Sequence, residues 1–406
     1  MMNILFLSLS FSTSKHKSFY EDLLCEFQKR GNKVYVACAN ERSSEEQDGL
    51  YEKDGMTILR IRIGNITGNI GIIEKGISTM TIDSLFLKAI RKVYYDVKFD
   101  LIIYPTPPIT LVNTITKIKK RTGAKTYLLL KDIFPQNAVD LALMQKNGIK
   151  GLIYKYFRRK EKKLYAISDH IGCMSPANVE YVLKHNPEVK RDIVEVCPNC
   201  IALPEVNPVT QKKEVSDLRI KYNIPKDAKI FIYGGNLGKP QGIKFLVDCL
   251  DKEKDNKKVF FIIIGSGTEF GRIENFIKKS QTRNTLLLKY LPKEEYKLIV
   301  NQCQVGMIFL DYRFQIPNFP SRLLSYMAAA MPVIIATDPN TDMGTIAEEN
   351  GFGYKCLSND VEGFSQAVDK IINSNIEEMG KNAWEYLVKN YTVSTAYNII
   401  TRHFSK

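Results

Sequence analysis

Short apolar runs alternate with longer amphipathic stretches along most of the chain. Asn3–Leu9 is nearly all apolar, Phe19–Arg30 repeats its apolar positions at the helical period until Gly31, and Val34–Cys38 is apolar again. Leu101–Tyr104, the amphipathic Leu111–Arg121 and Ala124–Leu130 repeat the arrangement. Apolar runs this short, flanked by helices, predict strands of a parallel sheet covered on both faces. Around Val206–Lys213 the chain turns polar, with Pro204 and Pro208 nearby, which predicts a linker. Beyond it Lys229–Tyr233, Val259–Ile264, Thr285–Leu288, Val305–Phe309 and Val333–Ala336 predict five more strands with helices between them. Ala383–Phe404 predicts two helices broken near Asn390–Thr392. The expected fold is α/β, with two facing doubly wound, Rossmann-like domains, residues 1–208 and 209–390, and a cleft between them. The final helix, 391–406, is expected to pack back on the first domain.

Composition narrows the class. At 406 residues and 44% hydrophobic content, a disordered tail and a disulfide mini-scaffold are excluded. No apolar run reaches the roughly 18 residues that would span a bilayer. The opening run reads as a first strand, having no basic leader and no small-residue cleavage site. Eight dispersed cysteines suit a reduced, cytoplasmic setting. The formal charge is +14, and from Lys146 to Lys163 eight cations face Glu161 alone. Interleaved with Leu152, Ile153, Tyr156, Phe157 and Leu164, they read either as a basic amphipathic helix for anionic lipid or as a solvated helix whose apolar face meets the core.

Ligands of such sheets lie beyond the carboxyl ends of the strands, so the turns there are the candidates for chemistry. Tyr233–Gly242 holds Gly235, Asn236, Gly238 and Lys239; its backbone N–H groups and the lysine suit a diphosphate. Gly265, Ser266 and Gly267 repeat the pattern one strand later. Pro320-Ser321-Arg322 opens a helix running through Ala330, with Ser321 able to cap it and Arg322 placed for a phosphate contact. Together the three turns favour a phosphate-bearing ligand. In the first half Thr106 and Asp132 follow strands, and Asp132 could serve as acid, base or hydroxyl acceptor, or simply cap a turn or pair with Lys131. Ser12 and His16 lie in the polar loop after the first strand. The four histidines show no metal spacing, His170 and His403 read as surface or satisfied core residues, and Cys197-Pro-Asn-Cys200 has no second pair to form a zinc site.

In order, these segments resemble the retaining family 4 glycosyltransferases of the GT-B fold, in particular those that build bacterial capsular or O-antigen repeat units. Lys131–Asp140 resembles the Arg-Asp-x-Trp-Pro segment of that group, and Met174–Glu180 and Val196–Asn199 its later signatures. Gly235–Gly242 is similar to the donor loop, and Phe319–Ile334 to Pro-Ser-Lys-x-x-Glu-Tyr-Met-Ala-x-Gly-x-Pro-Val-Ile. The family's donor-loop Arg and Lys fall on Asn236 and Gln241, and its paired glutamates on Pro317 and Ser325. The resemblance implies a nucleotide-sugar co-substrate, a UDP-sugar, held by Lys239, Arg322, Gly235, Gly238, Pro320 and the Ser321 helix start. Its base would lie near Gly265–Gly267, Tyr290 and Leu291, and its ribose near Ser325. Ser12, His16, Thr106 and Asp132 would hold the acceptor. No cofactor and no metal would be needed, since cations stabilise the leaving diphosphate. The implied partners are a polyprenyl-diphosphate-linked saccharide and the anionic inner face of the cell membrane, with no nucleic acid. The competing readings are a GT-B-fold sugar-nucleotide 2-epimerase, which needs cleft carboxylates or histidines, and a basic nucleic-acid-binding protein, which needs stacking aromatics.

Overall fold

The computed structural model describes residues 1–11, 19–68, 70–148, 151–210 and 217–404. They fall into two compact units, Met1–Ala202 with Val393–Lys406, and Leu203–Thr392. The division comes six residues before the expected 208/209 boundary, so the polar stretch that suggested a linker lies at the start of the second unit.

The first unit runs β1 (Asn3–Ser8), α1 (Phe19–Lys29), β2 (Lys33–Glu41), β3 (Gly49–Lys53), β4 (Met56–Ile63), α2 (Ile72–Val93), β5 (Leu101–Pro105) and α3 (Val112–Thr122). It continues through β6 (Lys125–Leu130), α4 (Gln136–Asp140), α5 (Gly151–Ile167), β7 (His170–Cys173), α6 (Pro176–His185) and β8 (Val194–Val196). Its eight strands lie in the order β3-β4-β2-β1-β5-β6-β7-β8. All neighbours are parallel except the β3–β4 hairpin. Every residue of β5, and all but the first of β1 and β6, is buried, as a sheet covered on both faces requires. One core cluster joins α1 (Leu23, Leu24, Phe27) to β1, β2 and β5, and the C-terminal Ala396 and Ile400 belong to it.

The second unit runs α7 (Asp217–Lys221), β9 (Lys229–Asn236), α8 (Ile243–Lys252), β10 (Val259–Ser266), α9 (Phe270–Ser280), β11 (Thr285–Leu288), α10 (Lys293–Gln302) and β12 (Val305–Phe309). It ends with α11 (Arg322–Ala328), β13 (Val333–Thr337), α12 (Met343–Glu349), β14 (Gly353–Leu357), α13 (Val361–Ile372) and α14 (Ile376–Asn390). Its six parallel strands lie in the order β11-β10-β9-β12-β13-β14, the Rossmann order with a reversal between β9 and β12. After Thr392 the chain returns to the first unit as α15 (Val393–Thr401). There Tyr397 packs on Phe27 at 4.8 Å between ring centroids, and Arg30 donates to Ser394 Oγ at 2.9 Å.

Five strands were not apparent from the apolar pattern. β3 is half exposed along its length and β4 is interrupted by Thr57, Arg60 and Arg62. β7 has four residues and β8 three, and β14 buries only Gly353 before alternating half-buried and exposed positions at an edge.

Candidate functional site

At the switch point of the second unit β9 remains a strand to its last residue, Gly235 pairing with Gly265 and Asn236 with Ser266. The loops that follow are then stitched together. Leu237 N–H donates to the Ser266 carbonyl at 2.8 Å, and Glu269 N–H to the Leu237 carbonyl at 2.9 Å. Only glycine permits this closeness: a Cβ at Gly265 would stand 1.9 Å from the Gly235 oxygen, and one at Gly267 2.5 Å from the Leu237 backbone. These glycines thus serve contact between loops. The Asn236 side chain lies beside Gly238, and Lys239 is exposed and makes no ion pair among the described residues.

Arg322, the first residue of α11, points its guanidinium back at the end of β9. Its Cζ lies 4.4 Å from the centroid of the Tyr233 ring. A Cβ at Gly235, whose φ is +131°, would come within 3.3 Å of Nη2, so the glycine lets the guanidinium rest on the strand end. Nη1 is closed off from solvent and has no hydrogen-bond partner among the described residues. Guanidinium is always charged and only donates. An enclosed, unpaired N–H is costly until an acceptor arrives. Three tyrosines build this seat. Tyr326 OH accepts the Gly234 N–H at 3.1 Å and reaches the Met307 carbonyl at 3.4 Å. The Tyr326 ring packs on Gly306, and Tyr296 covers Gly234.

The remaining donor-side candidates are less tightly placed. Ser321 occupies the N-cap position of α11 but does not cap it: its φ of −63° and ψ of −16° are already helical, which turns Oγ away from the N–H groups ahead. The helix ends at Ala328, two residues short of the expected Ala330. Pro320 is half-buried and Ser325 exposed on α11, while Tyr290 (exposed) and Leu291 follow β11, two strands from β9. Gln241, where the resemblance places a lysine, has a buried Oε1 without a partner.

In the first unit Asp132 follows β6. Asn137 Nδ2 donates to both of its carboxylate oxygens at 2.7 Å, and burial pushes its pKa up to about 6 against those bonds. It does not pair with Lys131, whose Nζ turns inward to the Cys197 carbonyl at 3.0 Å. Thr106 is 2% exposed, and its hydroxyl is fully used: it donates to the Asp132 carbonyl and accepts the N–H groups of Lys131 and Asp132. Those bonds hold the Asp132 turn. Ser12 and His16 lie outside the described residues. His170 and His403 stack at 3.7 Å, and His403 bonds Glu195, binding the C-terminal segment to the sheet.

Asn137 and the tyrosines at 233, 296 and 326 are the site residues the chain's pattern did not single out. Tyr233, Tyr326 and Asn137 stand inside recognised segments, whereas Tyr296 carries no signal beyond an ordinary helical position. Among the described residues no three His, Cys, Asp or Glu side chains are grouped to hold a metal ion, and the eight cysteines are free thiols.

Residues 214–386 match the family described as "Glycosyl transferases group 1", which lies wholly inside the second unit. The chain is 25% identical over 295 residues to the "Probable glycosyltransferase WbjE" of Pseudomonas aeruginosa, covering 72% of this chain and 71% of that one. It is 22% identical over 259 residues to the "Putative colanic acid biosynthesis glycosyl transferase WcaI" of Escherichia coli, covering 62% of this chain and 60% of that one. Among solved structures it superposes on sucrose-phosphate synthase from Thermosynechococcus elongatus with a TM-score of 0.73, at 14% identity, over 100% of this chain and 98% of that one. Anabaena HepE in complex with UDP gives 0.69, at 13% identity, over 99% of both. The two Rossmann-like units thus have the GT-B architecture, and it is the second whose residues match the group 1 glycosyltransferase model.

Proposed function

We propose that the protein is a nucleotide-sugar-dependent glycosyltransferase whose second unit binds the donor, a UDP-sugar. The observation that carries this is Arg322: a guanidinium at the switch point, resting on Gly235 and Tyr233, whose enclosed Nη1 has no hydrogen-bond partner among the described residues. A diphosphate supplies that acceptor, with exposed Lys239 and the Gly235–Gly238 backbone adding further donors. As the bond from the anomeric carbon to the diphosphate breaks, these groups stabilise the charge gathering on the leaving oxygen, with no metal required. A new bond forms from that carbon to the acceptor hydroxyl, and its proton passes to the departing phosphate. In keeping with the family 4 resemblance, configuration at the anomeric carbon is retained.

Asp132, poised by Asn137 and Thr106, orients the acceptor hydroxyl in the first unit. The acceptor is a lipid-linked saccharide of capsule or O-antigen synthesis, a role supported by the colanic acid assignment in the name of WcaI. The enzyme works in the cytoplasm at the inner face of the cell membrane. No helix among the described residues is long and apolar enough to cross it.

Thermal unfolding with UDP, GDP and their sugars tests the donor assignment. UDP is expected to raise the transition temperature, and Arg322→Ala to remove that rise and lower kcat/KM by about 10²–10³. Arg322→Lys keeps the charge without the fork and should recover only part. No stabilisation by any nucleotide would overturn the assignment. Product of inverted configuration, or epimerised sugar nucleotide formed without acceptor, would overturn the reaction.

A further inference from the structure

The six-stranded sheet of the second unit comes apart where the candidate donor loops begin. β9 pairs with β12 only through Phe231 with Val305 and Ile232 with Gly306, whereas it stays paired with β10 as far as Asn236. β12 meanwhile follows β13 to Phe309. A parting at the reversal of strand order is the crevice in which doubly wound sheets take their ligands. Past Ile232 the backbone of β9 has lost its neighbour on the β12 side, and a buried N–H there needs another acceptor.

Two tyrosines from different helices fill the parting, and each enters over a glycine. A Cβ at Gly306 of β12 would stand 2.4 Å from the Tyr326 ring, and one at Gly234 of β9 would stand 2.1 Å from the Tyr296 hydroxyl and 2.4 Å from its ring. Tyr326, on α11, accepts the Gly234 N–H at 3.1 Å. Its own proton has two acceptors in reach: the Met307 carbonyl at 3.4 Å, long for an O–H bond, and the hydroxyl oxygen of Tyr296 on α10. Burial pushes both phenols up, Tyr296 to about 12, so each remains a neutral donor and acceptor. Neither therefore brings a charge that would neutralise Arg322, whose guanidinium lies one residue further along β9, against Gly235.

We infer that Tyr296 is a positioning residue for the anion site. From α10 it wedges the end of β9 in place, and with it the Gly235 backbone and the guanidinium that rests there. Tyr326 ties the strand end; Tyr296 completes the hydrogen bonding of Tyr326 and backs Gly234 with its ring. A residue that only filled space would need the ring alone, whereas a hydroxyl set beside that of Tyr326 is what a missing acceptor requires. Tyr296 acts through Arg322 and the strand end, not on the ligand. The inference rests on the donor reading above in taking the anion to be a diphosphate.

Calorimetric titration with UDP, inorganic pyrophosphate and uridine separates the two parts of the nucleotide. Tyr296→Phe keeps the ring and removes the hydroxyl. It should weaken UDP and pyrophosphate by the same factor, about threefold to tenfold, the worth of one hydrogen bond, and leave uridine unchanged. Tyr296→Leu, which also removes the ring, should weaken both anions further. Should the leucine variant fail to fold, Tyr296→Phe decides alone. Equal losses of uridine and UDP would make Tyr296 a general support of the fold, and unchanged binding of both anions would leave it without a role; either result overturns the inference. Wild-type binding of pyrophosphate without UDP would remove the UDP assignment, while a pyrophosphate loss in Tyr296→Phe would still uphold Tyr296. Binding of neither anion by the wild type would remove the anion site and the role of Tyr296 with it.

Discussion

Asp132 shows how a single residue's environment sets its chemistry. Its half-buried carboxyl is held by Asn137, and burial pushes its pKa up to about 6. The folded chain therefore keeps a proton that the unfolded chain has lost between about pH 4 and pH 6, and stability falls as pH rises through that window. Asp132→Asn should flatten this slope in unfolding measurements. If the ionised carboxylate orients the acceptor, turnover should rise with pH through about 6. Asn137→Ala, which deletes both carboxylate bonds, should move that limb to higher pH, and an unmoved limb would remove Asp132 from the step. Asp132 and Arg322 were legible because a charged residue just after a strand, or just before a helix, stands at a ligand-binding edge. The tyrosines of the Arg322 seat were not, because a buried aromatic at 233, 296 or 326 has the same spacing whether it fills a core or holds an arginine. Thr106 was legible as a hydroxyl after a strand, but its three hydrogen bonds to the Asp132 turn were not.

At the scale of elements, long buried strands were easy to read and short or half-open ones were not. β11 and β12 match their apolar runs residue for residue. β7, β8 and β14 are too short or too alternating to stand out, and β4 hides Arg60 in its interior, 6% exposed and paired with Glu46. In the structure Gly265 and Gly267 bring two loops into contact, and Gly235 faces the guanidinium. Gly265→Ala puts a methyl 1.9 Å from a carbonyl oxygen, so the β9 and β10 ends must part. The expected loss is about 2–4 kcal/mol in denaturant unfolding, with UDP stabilisation lost alongside. A variant as stable as wild type that still responds to UDP would show that the contact does not shape the site.

Across the whole molecule, the two runs of alternating strands and helices predict two units, and the break between α14 and α15 is where the chain passes from the second unit to the first. α15 contributes Ala396 and Ile400 to the first unit's core, and Tyr397 packs on Phe27. Truncation after Thr392 should therefore weaken the first unit by about 2–4 kcal/mol and spare the second. The single tryptophan, Trp384 in α14, belongs to the second unit and gives a separate signal. Its fluorescence transition should stay in place while hydrogen exchange in β1 and β2 accelerates; equal shifts of both would contradict the division.

That returning helix also fixes an order of events during synthesis. The ribosome delivers Met1–Ala202 first, but the last pieces of that unit's core lie beyond the 190 residues of Leu203–Thr392. The second unit is contiguous and closes on residues of its own segment. The first must wait, with the α1 surface around Leu24 and Phe27 open, until Val393–Thr401 has been made. The part made first is thus the part finished last, and a chaperone acting on the nascent chain would find its binding surface there.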